Sequence, residues 1–294
     1  MTRLTVNDIK DLTAQLLLYD TLLQLQTGTT LQGIACYALG ITSQQLQVCI
    51  PSTLIAVVPI MSGQGVIGGF SSTVAAIVQH IGFKSFVTRE PDVAGLAEAV
   101  EAGAAIVMMA DDKRFIALDT RNSRVVDNTP STARGFVAGL ELMIRHQAPT
   151  PKVGLKDREL LIIGCGAVGT YSAIEAIKRG ARVSLFDIHQ QRSSAAAMEI
   201  MRITGSSSRI SIEPALAPAL SRHSFIIEAT NAANTIQKSD INPHTYIAAP
   251  GVPLGLTSAA IQQIKLRLLH DPLQIGTAVM AVDAAVHYFR KNQQ

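Results

Sequence analysis

The sequence predicts an α/β protein made of two domains, each containing a parallel α/β layer. Predicted strands and helices alternate in both halves of the 294-residue chain, which is the pattern of parallel β-α-β units. A buried strand in the second half runs directly into Gly-x-Gly-x-x-Gly and then a helix. A stretch with two prolines at 148–152 interrupts the pattern, so we expect one domain over 1–150 and the other over 151–294.

The first domain is predicted to begin with an amphipathic helix over 6–23, with Thr5 as its N-cap. The apolar residues at helical spacing in this helix are Leu12, Leu16, Tyr19 and Leu23. A short helix over 29–39 should follow. Strands are then expected at 54–58, 83–87 and 105–109, helices at 71–81 and 93–102, a hairpin at 115–118 and 124–126, and a long helix at 132–146. The alternation of strand and helix indicates a parallel layer before the hairpin.

The glycine-rich turn of the second domain predicts a Rossmann dinucleotide-binding domain. It follows the apolar strand 159–163. Gly164 can turn tightly, Gly166 lets the backbone approach a pyrophosphate, and Gly169 lets the helix pack closely on the sheet. The helix start near Ala167 points unpaired N–H groups at the phosphates. The residues of the turn that we assign to the cofactor are Gly164, Cys165, Gly166, Ala167, Val168 and Gly169.

The acid that ends the next strand, 182–186, indicates which dinucleotide binds. Asp187 lies 18 positions after Gly169, where a carboxylate accepts hydrogen bonds from the adenosine ribose hydroxyls. No arginine stands directly beside it, since Ile188 and a histidine follow. NAD is therefore the expected cofactor, with Ile188 beside it, and Arg192 keeps NADP as the alternative.

The ends of two later strands should face the nicotinamide half of the cofactor, because ligands bind beyond the carboxyl ends of such strands. These strands are expected at 224–228 and 246–249, and a final helix at 277–290 should pack on the first domain. We assign to the cofactor Ala229, Thr230, Pro250 and Gly251 at the strand ends and Thr277 at the helix start.

Composition narrows the class of protein. The net charge of +3 and scattered basic residues do not predict nucleic-acid binding, and no apolar run reaches the ~20 residues of a membrane span. Three cysteines without a CxxC pair favour a reducing cytoplasm. The histidines show no metal-ligand spacing, so no metal is expected. The partner is expected to be a small-molecule substrate, and a homo-oligomer is left open.

Segments outside the glycine turn carry more specific signatures, and they occur in both halves of the chain. They are Ser62–Ser71, Gly82–Thr88, Pro91–Val93, Met109–Asp112, Pro250–Pro253 and Pro272–Ala278. Together with the N-terminal helix, these segments resemble the PylD family of pyrrolysine biosynthesis. The resemblance extends over nearly the whole chain.

The resemblance implies the final step of pyrrolysine biosynthesis. In that step NAD oxidises the terminal amine of 3-methyl-D-ornithyl-Nε-L-lysine, a lysine–methylornithine amide, to an imine or aldehyde. Ammonia is released, and cyclisation gives the pyrroline ring. The amine must lose a proton before hydride transfer, and a nearby negative charge then stabilises the iminium cation.

The resemblance also implies a substrate site in the first domain. Asp111 is placed as the catalytic acid that contacts the substrate, with a loop acid or helix cap as the alternative. Ser62 carries over as a substrate contact or a turn serine. Leu4 and Thr5 carry over as substrate contacts from an N-terminal helix that would close over the ligand. The alternative is a helix that only docks on the domain. Asn128 is assigned to the substrate because it begins the segment that leads into the long helix.

Two other functions remain open at this level. One is an NAD-dependent dehydrogenase of another small substrate, of the folate or hydroxy-acid type, which would have no reason to carry the signatures of the first domain. The other is a regulatory module that senses NAD without catalysis. Such a module would bind NAD and reduce none.

Overall fold

The computed structural model describes residues 4–63, 67–147 and 154–292, and these form two compact units. The first comprises the described residues of Met1–Leu22, Thr29–Thr132 and Pro272–Gln294, and the second comprises those of Leu23–Gly28 and Ala133–Asp271. The division therefore passes inside the long helix, whereas the sequence-based boundary lies at 150. The predicted linker at 148–152 lies outside the described residues.

The first unit contains a mixed five-stranded sheet in the order β2-β1-β3-β4-β5. Its strands are β1 (Leu54–Val58), β2 (Lys84–Val87), β3 (Ile106–Ala110), β4 (Phe115–Asp119) and β5 (Arg124–Asp127). The first three strands are parallel to one another, while β4 and β5 are the predicted hairpin and continue the sheet in antiparallel order. The carboxyl ends of β1 and β3 thus lie side by side, with Val58 opposite Met109.

The second unit contains a six-stranded, entirely parallel sheet in the order β11-β10-β9-β6-β7-β8. Its strands are β6 (Glu159–Ile163), β7 (Arg182–Phe186), β8 (Ile210–Ile212), β9 (Phe225–Glu228), β10 (Tyr246–Ala249) and β11 (Leu268–His270). Counted from β6, this is the 3-2-1-4-5-6 order of the doubly wound fold. The order reverses between β6 and β9, and ligands bind beyond the strand ends at such a point.

The first four helices precede β1, and most of the later helices lie between successive strands. They are α1 (Val6–Ile9), α2 (Leu12–Thr27), α3 (Leu31–Leu39), α4 (Ser43–Cys49), α5 (Phe70–His80), α6 (Asp92–Glu101), α7 (Asn128–Gln147), α8 (Ala167–Lys178), α9 (Gln190–Thr204), α10 (Leu216–Arg222), α11 (Ser258–Ile264) and α12 (Gln274–Asn292). The last helix, α12, packs on α3, α5 and β4 in the first unit, and its buried face is almost wholly apolar.

Three predicted helices differ from the observed ones by three residues or more, and one of them is the final helix α12, which starts at Gln274 rather than 277. The single helix expected over 6–23 consists of α1 and α2, which are separated by a turn at Lys10 and Asp11. The long helix α7 starts at Asn128 rather than 132. There the Asp127 carboxylate accepts the N–H of Thr129 at 2.9 Å, and the Ser131 hydroxyl donates to the Asp127 carbonyl at the same distance. Pro130 is tolerated because the first turn has no intrahelical partner for its missing N–H.

Candidate functional site

The glycine-rich turn lies at the carboxyl end of β6, where the strand order of the second unit reverses. Gly164 has a φ of 92°, and a Cβ there would lie 2.8 Å from the Ala229 carbonyl oxygen. At Gly169 a Cβ would lie 1.9 Å from the Gly164 carbonyl oxygen, so α8 approaches the turn closely. A Cβ on Gly166 would meet no atom within 4 Å. The second glycine therefore faces open space, as the approach of a pyrophosphate requires.

The start of α8 is suited to an anion. Gly166 occupies the N-cap position without a side-chain cap, and Ala167 and Gly166 are exposed while Val168 is half-buried. The first N–H groups of a helix lack intrahelical partners, and the helix dipole adds positive charge there. The turn and the helix start together fit the pyrophosphate of a dinucleotide.

Asp187 directly follows β7 and reaches back to the glycine-rich turn. Its Oδ2 accepts the Cys165 N–H at 2.9 Å, and its Oδ1 accepts the His189 N–H at the same distance. Each carboxylate oxygen can accept a second hydrogen bond, so ribose hydroxyls still find acceptors there. Ile188 beside it is 85% exposed. Asp187 thus supports the turn, a role that sequence spacing does not reveal.

The thiol of Cys165 is a packing group. It lies 3.6 Å from the Phe186 carbonyl oxygen and 3.7 Å from Ser193 Oγ. Burial raises the pKa of the Cys165 thiol to about 11. The thiol is therefore protonated at neutral pH and is not a nucleophile.

The loops after β9 and β10 meet the glycine-rich turn. A Cβ on Gly164 would lie 3.0 Å from the Thr230 methyl, and one on Gly251 would lie 2.2 Å from the Thr230 carbonyl oxygen. Ala229 and Thr230 are half-buried, as is Pro250. The predicted residues of the second unit are thus brought together around one strand edge. Thr277 belongs to the first unit, where its side chain is buried in α12.

Glu228, the last residue of β9, lies beneath these two loops. Its fully buried carboxyl accepts the N–H and hydroxyl of Thr230 and, at 3.3 Å, the N–H of Gly255. Burial raises the pKa of this carboxyl, and the three hydrogen bonds oppose that rise. An acid at the end of an apolar strand carries no sequence signal that it is buried, so only the fold reveals this role.

Asp111 directly follows β3 and shapes the turn into β4. Its exposed carboxylate accepts the N–H groups of Lys113 at 2.8 Å and Arg114 at 2.7 Å. The bond from Arg114, then that from Lys113, lowers the pKa of Asp111. The group is therefore negatively charged at neutral pH. This geometry agrees with the alternative interpretation of Asp111 as a loop acid. It also leaves the carboxylate accessible to a cation.

The loop after β1 lies against the same turn. Ser62 is exposed, and the next residue, Gly63, has a φ of 74°. A Cβ on Gly63 would lie 2.1 Å from Asp112 Oδ2. The structure thus brings the Ser62 loop beside the turn that carries Asp111. Residues 64–66 of the associated signature lie outside the described part.

The N-terminal residues assigned to the substrate form a helix start. The N–H and hydroxyl of Thr5 both donate to Asp8 Oδ2, at 2.6 and 2.7 Å. Leu4 is half-buried. Asn128, the first residue of α7, has a buried Oδ1 that accepts no hydrogen bond from the described residues. Asn128 therefore retains an acceptor for a ligand, whereas the donors of Thr5 are already used.

Neither a metal-binding cluster nor a membrane-spanning helix occurs among the described residues. No group of histidine, cysteine, aspartate and glutamate side chains there is arranged to hold a metal ion. Within the same part of the chain, no helix combines the length and apolar character needed to cross a membrane.

The fold and the glycine-rich turn define a protein with a Rossmann-type dinucleotide-binding unit and a second α/β unit. The quinate dehydrogenase of Corynebacterium glutamicum in complex with NAD is similar, with a TM-score of 0.52 and 13% identity over 82% of this chain and 98% of that one. A shikimate dehydrogenase in complex with NADP+ has a TM-score of 0.51 and 12% identity over 82% and 91%. At identities this low, the similarity shows a shared fold and nothing about the substrate.

Sequence comparison defines the family. The profile described as "Pyrrolysine biosynthesis protein PylD, N-terminal domain" matches residues 8–126. The pyrrolysine synthase of Methanosarcina barkeri is 33% identical over 280 residues, which cover 95% of this chain and 97% of the relative. That of Methanosarcina acetivorans is 32% identical, with 95% and 98% covered. The chain belongs to the PylD family of pyrrolysine biosynthesis proteins.

Proposed function

We propose that the protein is a pyrrolysine synthase that uses NAD to oxidise the terminal amine of 3-methyl-D-ornithyl-Nε-L-lysine. The observation that carries this proposal is the similarity to pyrrolysine synthases along 95% of the chain. The glycine-rich turn at the strand-order reversal supports a dinucleotide as the hydride acceptor. The proposed partners are therefore this small amide and NAD. We also propose that the enzyme is cytoplasmic.

The residues present fit NAD. Gly166 leaves room for the pyrophosphate, the start of α8 offers N–H donors, and Asp187 has acceptor capacity for the ribose. Bound NAD would supply the hydride-accepting ring. The negative charge of Asp187 disfavours the extra phosphate of NADP, which is why NAD is proposed.

The chemistry requires a C–H bond to break at the carbon that bears the terminal amine. Bound NAD would accept the hydride, and the amine would thereby become an imine, which water can convert to the aldehyde. Attack by the α-amine then releases ammonia, or water from the aldehyde, and closes the pyrroline ring. The charged carboxylate of Asp111 would stabilise the iminium cation as it develops.

The test is NADH formation by the full chain with the authentic amide, followed by mass spectrometry of the product. We expect an increase in absorbance of NADH and a product with the mass of pyrrolysine. An amide whose terminal amine is acetylated is the matched control and should give neither. A protein that binds NAD in calorimetry but forms no NADH would instead be a sensing module.

A further inference from the structure

Asp92, the first residue of α6, has a backbone φ of 53°. Residues other than glycine rarely adopt a positive φ, although aspartate and asparagine tolerate it better than most. Such a conformation persists only where the surrounding structure holds it, and it is often found at functional sites. Asp92 also belongs to the Pro91–Val93 signature, which has no role in the function proposed above.

Two hydrogen bonds join Asp92 to the loop that follows β1. Its Oδ1 accepts the Met61 N–H at 2.9 Å, and its own N–H donates to the Pro59 carbonyl oxygen, also at 2.9 Å. One residue thus holds the loop at two points, through its side chain and through its backbone. Ser62, the proposed substrate contact, directly follows Met61.

The start of α6 is a firm base for these bonds. A Cβ on Gly95, in the first turn, would lie 2.2 Å from the Glu90 carbonyl oxygen and 2.9 Å from Val58 Cγ1. Because Val58 ends β1, this close packing holds the helix start directly on the sheet of the first unit. The packing does not involve the Asp92 carboxylate, so α6 should stay in place when that group is removed.

The loop is in close contact on the other side of Ser62 as well. A Cβ on Gly63 would lie 2.1 Å from Asp112 Oδ2, so the loop closely approaches the turn that carries Asp111. Ser62 therefore lies between a residue bound by Asp92 and a residue packed against the Asp111 turn. Ser62 is exposed there, where a ligand can reach it.

Stability alone does not account for the bond between Met61 and Asp92. Met61 is 55% exposed and the bond lies at the surface, so water can accept this N–H in place of the carboxylate. The bond therefore adds little to the free energy of folding, and the positive φ opposes folding. A fixed carboxylate provides one orientation of the loop, which water does not.

We propose that Asp92 is a positioning residue, which orients the loop so that the Ser62 hydroxyl hydrogen-bonds a polar group of the substrate. Asp92 itself does not contact the substrate. This inference rests on the proposed function, in which Ser62 contacts the lysine–methylornithine amide. It gives the Pro91–Val93 signature a role in binding this substrate and none in binding NAD.

The experiment compares Asp92→Gly with Asp92→Asn and with Asp157→Gly as a matched control. Glycine adopts a positive φ without strain, so Asp92→Gly removes only the carboxylate. Asparagine tolerates the same φ and keeps an oxygen that accepts the Met61 N–H. Asp157 has a φ of 58°, and its N–H likewise donates to a carbonyl, that of Gly180 at 2.9 Å, but it belongs to the second unit.

Asp92→Gly should raise the KM of the amide about tenfold, as expected for the loss of one oriented hydrogen bond. Its kcat and NAD affinity should stay within about twofold of the wild type, because Asp111 keeps the bonds that hold its own turn. In the protein without ligands, the Met61 N–H should exchange with solvent about tenfold faster, as measured by NMR. Asp92→Asn should restore the wild-type KM and exchange rate, and Asp157→Gly should change neither.

An unchanged KM in Asp92→Gly, or an equal rise in Asp92→Asn or Asp157→Gly, overturns the inference. A melting temperature lowered far more by Asp92→Gly than by Asp157→Gly would show a role in folding instead. If the wild-type protein does not turn over the amide, the proposed function fails. The exchange rate of the Met61 N–H then still decides whether Asp92 holds the loop, and an unchanged rate in Asp92→Gly overturns that role.

Discussion

Single residues at the candidate site have structural roles beside the chemical roles that we propose for them. Asp187 accepts hydrogen bonds from two backbone N–H groups, and we propose that it also binds the ribose. Asp111 organises a turn while its carboxylate stays exposed and charged. Substitutions that keep the hydrogen-bond geometry and remove only the charge therefore separate the two roles.

Asp111→Asn should reduce turnover by about a hundredfold, because the neutral amide no longer stabilises a developing cation. Its carbonyl oxygen can still accept the N–H groups of Lys113 and Arg114, so the turn should persist. The measurement is kcat with the lysine–methylornithine amide, alongside NAD affinity, which should not change. Asp112→Asn, at the next position, is the control and should keep wild-type turnover. Full activity in Asp111→Asn would reject the electrostatic role.

Asp187→Asn should weaken NAD binding by about tenfold and reduce the preference for NAD over NADP. The charge that repels the extra phosphate is lost, while one oxygen remains to accept a backbone N–H. Calorimetric affinities for NAD and NADP measure this ratio. Asp240→Asn is the control, since Asp240 likewise accepts a backbone N–H, that of Gln237 at 2.7 Å. An unchanged ratio in Asp187→Asn would remove the ribose assignment.

The pH dependence of stability should carry a contribution from Glu228. Folding raises the pKa of this carboxyl, so the folded state holds a proton that the unfolded state releases at about pH 4.3. Its contribution is complete below that pH and is lost as the pH rises through the raised pKa. Urea unfolding across this range should show a shallower decline for Glu228→Gln than for the wild type.

The control for Glu228→Gln is a substitution at an exposed glutamate whose pKa is lowered and not raised. Glu199 is exposed, and its hydrogen bond and ion pair with Arg202 lower its pKa. Glu199→Gln should leave the decline above pH 4.3 unchanged. Equal slopes in the wild type and Glu228→Gln would show that the buried carboxyl titrates normally.

At the scale of elements, two glycines of the glycine-rich turn allow effects on stability to be distinguished from effects on ligand binding. A Cβ on Gly169 would collide with the backbone of Gly164, whereas one on Gly166 would enter open space. Gly169→Ala should therefore lower the free energy of unfolding by about 1–3 kcal/mol.

Gly166→Ala is the matched substitution in the same turn. It should cost less stability than Gly169→Ala and lose at least about tenfold in NAD affinity, because its methyl group would occupy the path of the pyrophosphate. Chemical unfolding and NAD calorimetry on both variants check this pair. Wild-type NAD affinity in Gly166→Ala would show that the dinucleotide does not approach this glycine.

Elements with a strong local pattern could be predicted well, and others could not. The apolar runs of β1, β6, β7 and β10 give their bounds to the residue. The short strands β8 and β11 were missed, because three residues carry too little pattern to distinguish a strand from a loop. These strands form the two edges of the second sheet, where pairing with a neighbour decides the conformation.

For the whole molecule, the two units do not follow the order of the chain. The first unit takes its last helix from residues beyond 272, and the chain enters the second unit inside α7. A boundary at 150 relies on prolines, which show where a helix must end but not which core each helix completes. The apolar face of α12 fits either unit by composition alone, and packing on α3 and α5 decides between them.

The class of fold, the glycine-rich turn and the family can all be read from the sequence, because each depends on short patterns of neighbouring residues. The strand-order reversal, the burial of Glu228 and, among the described residues, the unpartnered side-chain oxygen of Asn128 emerge only in three dimensions. These features depend on contacts between residues far apart in the chain. A side chain's burial and its lack of a partner are properties of its surroundings, and its residue type does not encode them.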